Sequence, residues 1–383
     1  MNAHGFTHRD RFLAALNHQG ADRVPIAFGG PECSIHEAAH RRLLGHLGYA
    51  AGAPALIMDN ILQIVEPDMC LYERFQVDVL FLVPREGPVQ WSADHEEYLD
   101  EFRRRFRSGG GFYNQVESPL REGTPEELAR YRFPDLTAHE RLAGLVEKAQ
   151  RLYAAGYGLV ADGAWGLYEI CSSLRGTDAL FMDMILNPAY VEALAERVLE
   201  EHLLPYYTLL LQAVGPWVQM VVISDDLGSQ ENLLFSPRIF RELFKPRLRR
   251  LVERIKSMVE GRVYIHSDGA ILEIIPDLIE IGLDGLNPVQ YTARGMEAER
   301  LKCEFGRELG FFGGGIDNQI LSFGSIQDVR RDVRRQIKGL APGGGYLLAT
   351  IHNIPPEVPP ENILAFFEAG LEFGRYPVLQ SIV

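Results

Sequence analysis

Short apolar runs alternate with amphipathic helical patterns along most of the chain, and this alternation restricts the fold more than any other feature. Eight runs are present, at 24–28, 77–83, 158–163, 217–223, 262–266, 283–287, 309–313 and 345–350. The stretch Val218–Ile223 is nearly continuous, as expected for a parallel strand that is covered on both faces. Eight strands separated by helices predict an α/β protein with a closed (β/α)8 TIM barrel.

The segment 84–118 departs from this alternation. It contains three consecutive glycines, Gly109 to Gly111, between segments rich in aromatic residues. This pattern predicts a hairpin inserted after the second strand. Linkers rich in proline or serine and internal repeats are absent, and α/β barrels with insertions reach this size as one unit. We therefore predict a single domain over 1–383.

The charge balance bears on partners and location. The chain has 38 Lys and Arg against 52 Asp and Glu, a net charge of −14, which repels nucleic acid and anionic lipid. The segment Met1–Asp10 is polar, and no stretch approaches the ~20 apolar residues of a spanning helix. We expect a cytoplasmic protein without nucleic acid or membrane partners. The four cysteines show no CxxC spacing, which argues against a disulfide framework.

Polar residues follow six consecutive apolar runs, at the strand ends where α/β barrels place their active sites. They are Asp162, Trp165 and Glu169 after the third run, Asp225 and Asp226 after the fourth, His266 and Asp268 after the fifth, Asn287 and Gln290 after the sixth, Asp317 after the seventh and His352 after the eighth. A single aspartate at such a place is more often a helix cap. The repetition favours a common site.

Two histidines suggest a metal. His266 and Asp268 place two ligands near one strand end, and His352 can complete three, which leaves an open position for water or substrate. The alternative is that both histidines are buried core or capping residues. Asp225 and Asp226 can share a proton, hydrogen-bond a histidine or cap a helix.

Four arginines alternate with aromatic residues in the inserted segment. They are Arg103, Arg104, Arg105 and Arg107. A solvated face is the more common reason for such a pattern, and capture of an anionic substrate is the alternative.

Several segments together resemble the uroporphyrinogen decarboxylase superfamily, over nearly the whole chain. They are Arg11–Leu16 with Asp22–Pro25, Ser236 with Pro237, His266–Gly269, Gly285–Pro288, and His352–Ile354 with Pro360–Ile363. The resemblance implies the barrel and either decarboxylation or cobalamin-dependent methyl transfer. Of the decarboxylases' functional residues only His352 is matched, in the closing His-x-Ile motif. Their two N-terminal arginines and the aspartate after the second strand have no match here, so decarboxylation of a porphyrinogen is disfavoured.

The zinc methyltransferases of this superfamily bind metal through a His-x-Cys strand end and a later Cys. In this sequence His266 matches the histidine, Asp268 stands at the first cysteine and His352 approximately at the second. This harder ligand set suits a divalent metal, zinc being the first candidate, that polarises an ether or amine donor rather than a thiol. The sequence has no Asp-x-His-x-x-Gly corrinoid loop, so a corrinoid would arrive on a separate partner protein.

The sequence thus predicts a methyltransferase or demethylase that acts on a small molecule. His266, Asp268 and His352 would hold the metal or position the substrate. The remaining roles are catalysis by Asp226 and Glu169 together with His352, and substrate binding by Trp165, Asp225, Asn287, Gln290 and Asp317. The alternatives are a decarboxylase of porphyrin biosynthesis and a catalytically silent barrel that binds a ligand.

Overall fold

The structure is a computed structural model that describes residues 5–49, 55–136, 139–163 and 165–378. Seven strands form one parallel sheet: Val79–Leu82, Gly158–Ala161, Met220–Ser224, Arg262–His266, Gly285–Asn287, Gly310–Phe312 and Tyr346–Leu347. Each strand pairs with the next one along the chain. Each strand falls inside the corresponding predicted run, from the second to the eighth, or extends it by one residue. These seven predictions are confirmed.

The segment 24–28, the first predicted strand, lies between the two ends of this sheet. Ile26 forms a parallel bridge with Leu348, and Ala27 forms one with Val79. The amide of Ala27 donates to the carbonyl of Leu348 over 2.9 Å, and the amide of Asp78 donates to the carbonyl of Ile26 over 2.8 Å. These bonds join the last strand to the second, and the predicted (β/α)8 barrel is confirmed.

The first helix, His8–Leu16, packs against the barrel interior. Phe12 is fully buried and clusters with interior side chains such as Val160 and Met220. Thr7 begins the helix with a capping box, because its hydroxyl accepts from the amide of Asp10 while the Asp10 carboxylate accepts from the amide of Thr7. The helix therefore covers one end of the barrel.

Helices surround the sheet. The α-helices are His8–Leu16, Glu37–His46, Met69–Arg74, Pro125–Arg130, Leu145–Ala154, Leu167–Arg175, Thr177–Leu186, Pro188–Val198, Leu204–Val214, Pro237–Ile239, Lys245–Lys256, Ile275–Glu280, Ala298–Phe305, Asn318–Phe323, Ile326–Leu340 and Pro360–Phe373. The π-helical turns are Leu199–Leu203 and Phe240–Phe244, and the 3₁₀ turns are His139–Leu142, Gly215–Trp217 and Leu272–Ile274. Within the described residues, none of these helices has the length and apolar character that a membrane crossing requires.

The predicted hairpin is part of a larger insertion. Arg105–Gly109 pairs with Phe112–Glu117 around Gly110 and Gly111, whose φ angles of 68° and 88° suit a tight hairpin turn. Two further strands, Gln90–Trp91 and Glu97–Leu99, extend it to a four-stranded antiparallel sheet. A second small sheet of Ile35–His36, Ile57–Asp59 and Ile64–Val65 was not predicted, because strands of two or three residues leave no periodic pattern.

Candidate active site

A cavity of about 400 Å³ opens where the barrel strands end and the insertion begins. Several residues singled out in the sequence line it: Trp165, Glu169, Asp226, His266 and His352. They come from four different strand ends, and the barrel brings them to one mouth. Asp225, Asp268, Asn287, Gln290 and Asp317 do not line this cavity.

His266, Asp268 and His352 lie together at the mouth. One potential ligand atom from each residue falls within 4.8 Å of the other two. The two imidazole centroids are 5.9 Å apart. Oδ1 of Asp268 is buried and has no hydrogen-bond partner. The geometry therefore unites the three residues that the sequence proposed as metal ligands, and it leaves a carboxylate oxygen available for an ion.

A neighbouring amide orients His266. Nδ1 of His266 lies 2.6 Å from Oδ1 of Asn287, while Nδ2 of Asn287 donates to the carbonyl of Phe312 over 3.2 Å. Because the amide nitrogen is engaged elsewhere, Oδ1 faces the imidazole and Nδ1 donates to it. This leaves Nε2 of His266 directed toward the acidic side chains, 3.7 Å from Oδ1 of Asp226.

The pKa values of the two histidines shift in opposite directions. Burial lowers the pKa of His266, but the carboxylates of Asp226 and Asp268 outweigh it and raise that pKa to about 9. Burial lowers the pKa of His352 below its ordinary value. Without an ion, His266 thus carries a charge that the acids balance, while His352 is neutral at pH 7. A metal ion bound by His266 would replace its proton and supply the positive charge instead.

Glu169 lies in the first turn of the helix Leu167–Arg175. Its Oε2 accepts hydrogen bonds from the amide of Gly166 over 2.8 Å and from the hydroxyl of Ser224 over 2.9 Å. Burial, followed by the charge of Asp226, raises the pKa of Glu169 to about 7. The side chain can therefore give or take a proton near neutral pH.

Asp225 lies beneath the cavity wall. It is fully buried, and its Oδ1 accepts from the amide of Glu169 over 3.1 Å. Burial raises its pKa well above the ordinary range. In this position Asp225 supports the start of the helix that carries Glu169, and its predicted contact with substrate stays a prediction.

Gln290 and Asp226 hold the turn after His266. Oε1 of Gln290 accepts from the amide of Gly269 over 2.5 Å, and Oδ1 of Asp226 accepts from the amide of Asp268 over 2.7 Å. Asp317 is the N-cap of the helix Asn318–Phe323, where it accepts from two backbone amides. Substrate binding by Gln290 and Asp317 also stays a prediction.

The insertion contributes a wall that the sequence did not reveal. Arg104 is only 6% exposed, so the expectation of a solvated face is wrong for this residue. Its Nε donates to Oδ2 of Asp100 over 2.7 Å, and its guanidinium lies 5.1 Å from the ring centroid of Trp165. The spacing of Asp100 and Arg104 beside aromatic residues was the available signal. Glu32, which also lines the cavity, was missed because it follows no periodic pattern.

The family model described as uroporphyrinogen decarboxylase (URO-D) matches residues 105–373, more than half of the chain. The chain belongs to the uroporphyrinogen decarboxylase family. The match begins in the hairpin of the insertion and includes the strand ends that carry Glu169, Asp226, His266 and His352. No curated protein matches the chain.

One solved structure extends this likeness to three dimensions. A methyltransferase from Methanosarcina mazei superposes with a TM-score of 0.68 at 19% sequence identity, over 96% of this chain and 99% of that chain. A β-glycosidase from Thermosphaera aggregans gives a TM-score of 0.43 at 10% identity, over 93% of this chain and 97% of that chain. The first comparison shows that this uroporphyrinogen decarboxylase family member shares its fold with a methyltransferase.

Proposed function

We propose that this family member is a methyltransferase that takes a methyl group from a small-molecule donor and passes it to a separate corrinoid protein. The observation that carries the proposal is the convergence of His266, Asp268 and His352 within 4.8 Å at the mouth of the barrel. The fold shared with the methyltransferase from Methanosarcina mazei supports it.

The three residues fit a divalent metal ion, with zinc as the first candidate. Two imidazoles and one carboxylate match a catalytic zinc site with an open position, and the buried Oδ1 of Asp268 has no other partner. The hydrogen bond from His266 to Asn287 is the kind of support that fixes a ligating imidazole. Such an ion would act as a Lewis acid on the ether oxygen or amine nitrogen of the donor.

In this proposal Glu169 donates a proton to the atom that loses the methyl group. When the methyl group leaves without its bonding electrons, the electron pair stays on the donor oxygen or nitrogen, which then takes up a proton. Glu169 lines the same cavity, and its pKa of about 7 keeps a large protonated fraction at neutral pH. Glu169 is therefore the proposed general acid, and Trp165 supplies an aromatic wall for the donor.

This proposal is tested by an assay of methyl transfer. The assay contains purified protein, candidate donors and a corrinoid protein reduced to its methyl-accepting state. The donors are aryl methyl ethers, methylamines and methanol-derived compounds, and methylation of the corrinoid is followed by its absorbance. Turnover with at least one donor, lost in His352→Ala, supports the proposal. Failure of every donor with a competent corrinoid acceptor contradicts it.

Decarboxylation of a porphyrinogen is the competing function within the same family. The two N-terminal arginines and the aspartate after the second strand that the decarboxylases use have no match in this sequence, which disfavours this function. Formation of coproporphyrinogen from uroporphyrinogen is the assay that separates the two functions. Decarboxylation without methyl transfer would replace the proposal.

A further inference from the structure

Three arginines line the cavity, and Arg141 is the one that is both buried and incompletely bonded. Each guanidinium nitrogen of Arg104 has a partner, because Asp100 binds its Nε and Nη2 and Ser173 accepts from its Nη1. Arg85 is exposed to solvent. Arg141 is only 7% exposed, and its Nε has no hydrogen-bond partner among the described residues. Buried donors in native proteins normally have acceptors, so this nitrogen at a cavity wall indicates a missing ligand group.

The ion pair between Arg141 and Glu101 leaves part of the guanidinium unused. Glu101 binds Nη2 of Arg141 and makes no second bond to Nε. A guanidinium edge presents two parallel N–H donors, which suit the two oxygens of a carboxylate. The 3₁₀ turn His139–Leu142 carries Arg141, and the amide of Arg85 donates to the carbonyl of Arg141 over 2.9 Å. The backbone thus holds Arg141 at the wall with a donor to spare.

His202 is a second buried group of this wall that lacks a partner. It is 5% exposed and lines the cavity, and no described residue bonds to its Nδ1. It belongs to the π-helical turn Leu199–Leu203, and such turns are frequent at functional sites. Burial, followed by the charges of Arg141 and Arg104, lowers the pKa of His202 to about 3. The positive charges that keep this ring neutral also favour an anion beside it.

The carboxyl groups of the wall do not cancel this preference. Asp100 and Glu101 are each paired with an arginine. Burial, followed by the charge of Asp59, raises the pKa of Glu86 to about 8, and burial raises the pKa of Glu32 well above its ordinary value. Glu86 and Glu32 are therefore largely protonated at pH 7. Of these five groups only Asp59 then carries an unpaired charge, and its Oδ1 already accepts from two backbone amides.

We infer that Arg141 and His202 form a subsite for a carboxylate group of the substrate. A carboxylate offers only acceptors, so it can take the N–H of Nε of Arg141 and the single N–H of the neutral His202 ring. Phe102, Tyr206 and Trp165 line the same cavity, and their rings suit an apolar body that carries the carboxylate.

This inference rests on the proposed function only in that the bound molecule is taken to be the methyl donor. The donor would place its carboxylate at Arg141 and its methyl-bearing heteroatom at His266 and His352. All three residues line one cavity of about 400 Å³, a volume that holds a small molecule. The subsite would then decide which donors bind.

Binding of sodium benzoate to the full-length protein tests the subsite. Its affinity is measured by ligand-observed NMR at constant ionic strength, beside benzamide as a neutral molecule of the same shape and inorganic phosphate as an anion without an apolar body. We expect benzoate to bind about tenfold more tightly than either comparison ligand, a difference of about 1.4 kcal/mol. Equal affinity for benzamide, or equal affinity for phosphate, overturns the inference.

Variants locate the interaction. Arg141→Gln removes the guanidinium, His202→Phe keeps a ring without its N–H, and each should weaken benzoate binding about tenfold. Arg103→Gln removes the charge of an exposed arginine that does not line the cavity, and it should leave the affinity within about twofold. An equal loss in all three variants indicates a diffuse charge effect and contradicts the subsite. The wild-type comparison of ligands stands even if Arg141→Gln fails to fold.

The proposed metal ligands are a second place where a carboxylate can bind, and His352→Ala distinguishes the two. Loss of benzoate binding in His352→Ala, with no loss in Arg141→Gln or His202→Phe, would assign the carboxylate to the metal and contradict the subsite.

The binding measurement is independent of methyl transfer, because it requires neither a corrinoid protein nor turnover. Selective benzoate binding in a protein that fails every methyl-transfer assay would contradict the proposed function and leave the subsite intact. Methyl transfer from donors without a carboxylate, together with equal binding of benzoate and benzamide, would contradict the subsite alone.

Discussion

Asn287 determines which nitrogen of His266 faces the cavity. The 2.6 Å contact between Nδ1 of His266 and Oδ1 of Asn287 commits Nδ1, and the bond from Nδ2 of Asn287 to Phe312 prevents the amide from turning over. Nε2 of His266 is therefore free for an ion or a substrate. The sequence suggested Asn287 as a substrate-binding residue, whereas its contacts suit a residue that positions His266.

This relationship predicts the effect of Asn287→Leu on metal binding. Without the amide acceptor, the imidazole of His266 loses its fixed orientation, and we expect zinc affinity to fall about 10- to 100-fold. Asn287→Asp keeps an acceptor and should recover most of the affinity. Zinc competition with a chromophoric chelator measures both values. Unchanged affinity in Asn287→Leu would show that the hydrogen bond does not support a ligand.

The three proposed ligands predict the metal content of the protein. Protein purified without chelator should hold about one equivalent of divalent metal, and His352→Ala should reduce this to less than about a tenth. Mass spectrometry with inductively coupled plasma gives the content. His202→Phe is a suitable control, since His202 borders the same cavity but is not one of the three. Full activity in metal-free wild-type protein would end the metal hypothesis. Retained folding with unchanged ligand affinity and turnover in His352→Ala would favour the catalytically silent barrel.

Glu169 predicts the pH dependence of turnover. As a general acid with a pKa of about 7, it is active when protonated, so the rate should fall as the pH rises through 7. Glu169→Gln should lower the rate about 10²- to 10⁴-fold and remove this limb of the profile.

A substitution of Ser224 gives a second test of the role of Glu169. Its hydroxyl donates to the Glu169 carboxylate over 2.9 Å and favours the ionised form. Ser224→Ala should therefore raise the pKa of Glu169 and move the falling limb to higher pH. A limb that stays in place in both variants would assign the proton to another group.

The burial of His202 leads us to expect that the free energy of unfolding depends on pH. Burial, with Arg141 nearby, lowers the pKa of His202 to about 3, against about 6.5 in an unfolded chain. Between these values the unfolded state binds more protons, so the free energy of unfolding falls as the pH falls below about 6.5, by up to about 1.4 kcal/mol per unit. From pH 7 to pH 5, His202→Phe should lose about 2 kcal/mol less than wild type in urea unfolding. Equal losses would show that His202 accepts its proton within the fold.

Asp317 predicts a loss of stability rather than of substrate affinity. Its Oδ1 accepts from the amides of Gln319 and Ile320, so Asp317→Ala should destabilise the protein by about 1 kcal/mol. Thermal unfolding measures this effect. Asp317→Asn keeps a capping oxygen and should be close to wild type. A large increase in KM with unchanged stability would instead support the predicted contact with substrate.

The sequence predicted the barrel because the patterns that indicate its strands are local. A run such as Val218–Ile223 depends on a few neighbouring residues, and the strand that it predicts is confirmed. The polar residues after the runs also pointed to the end of the barrel where the cavity opens. The hairpin at Gly110 and Gly111 was foreseen for the same reason, although the sheet around it is larger.

Tertiary structure alone decided how distant segments meet. Ring closure through Ile26 and Ala27 fixes the position of the last strand relative to the fifth and so brings His352 to His266. The burial of Arg104 and the pairing of Glu32 with Asp162 likewise arise from loops whose course no short pattern records. Periodicity reports which face of an element is apolar, whereas the neighbours of a loop side chain depend on packing between residues far apart in the chain.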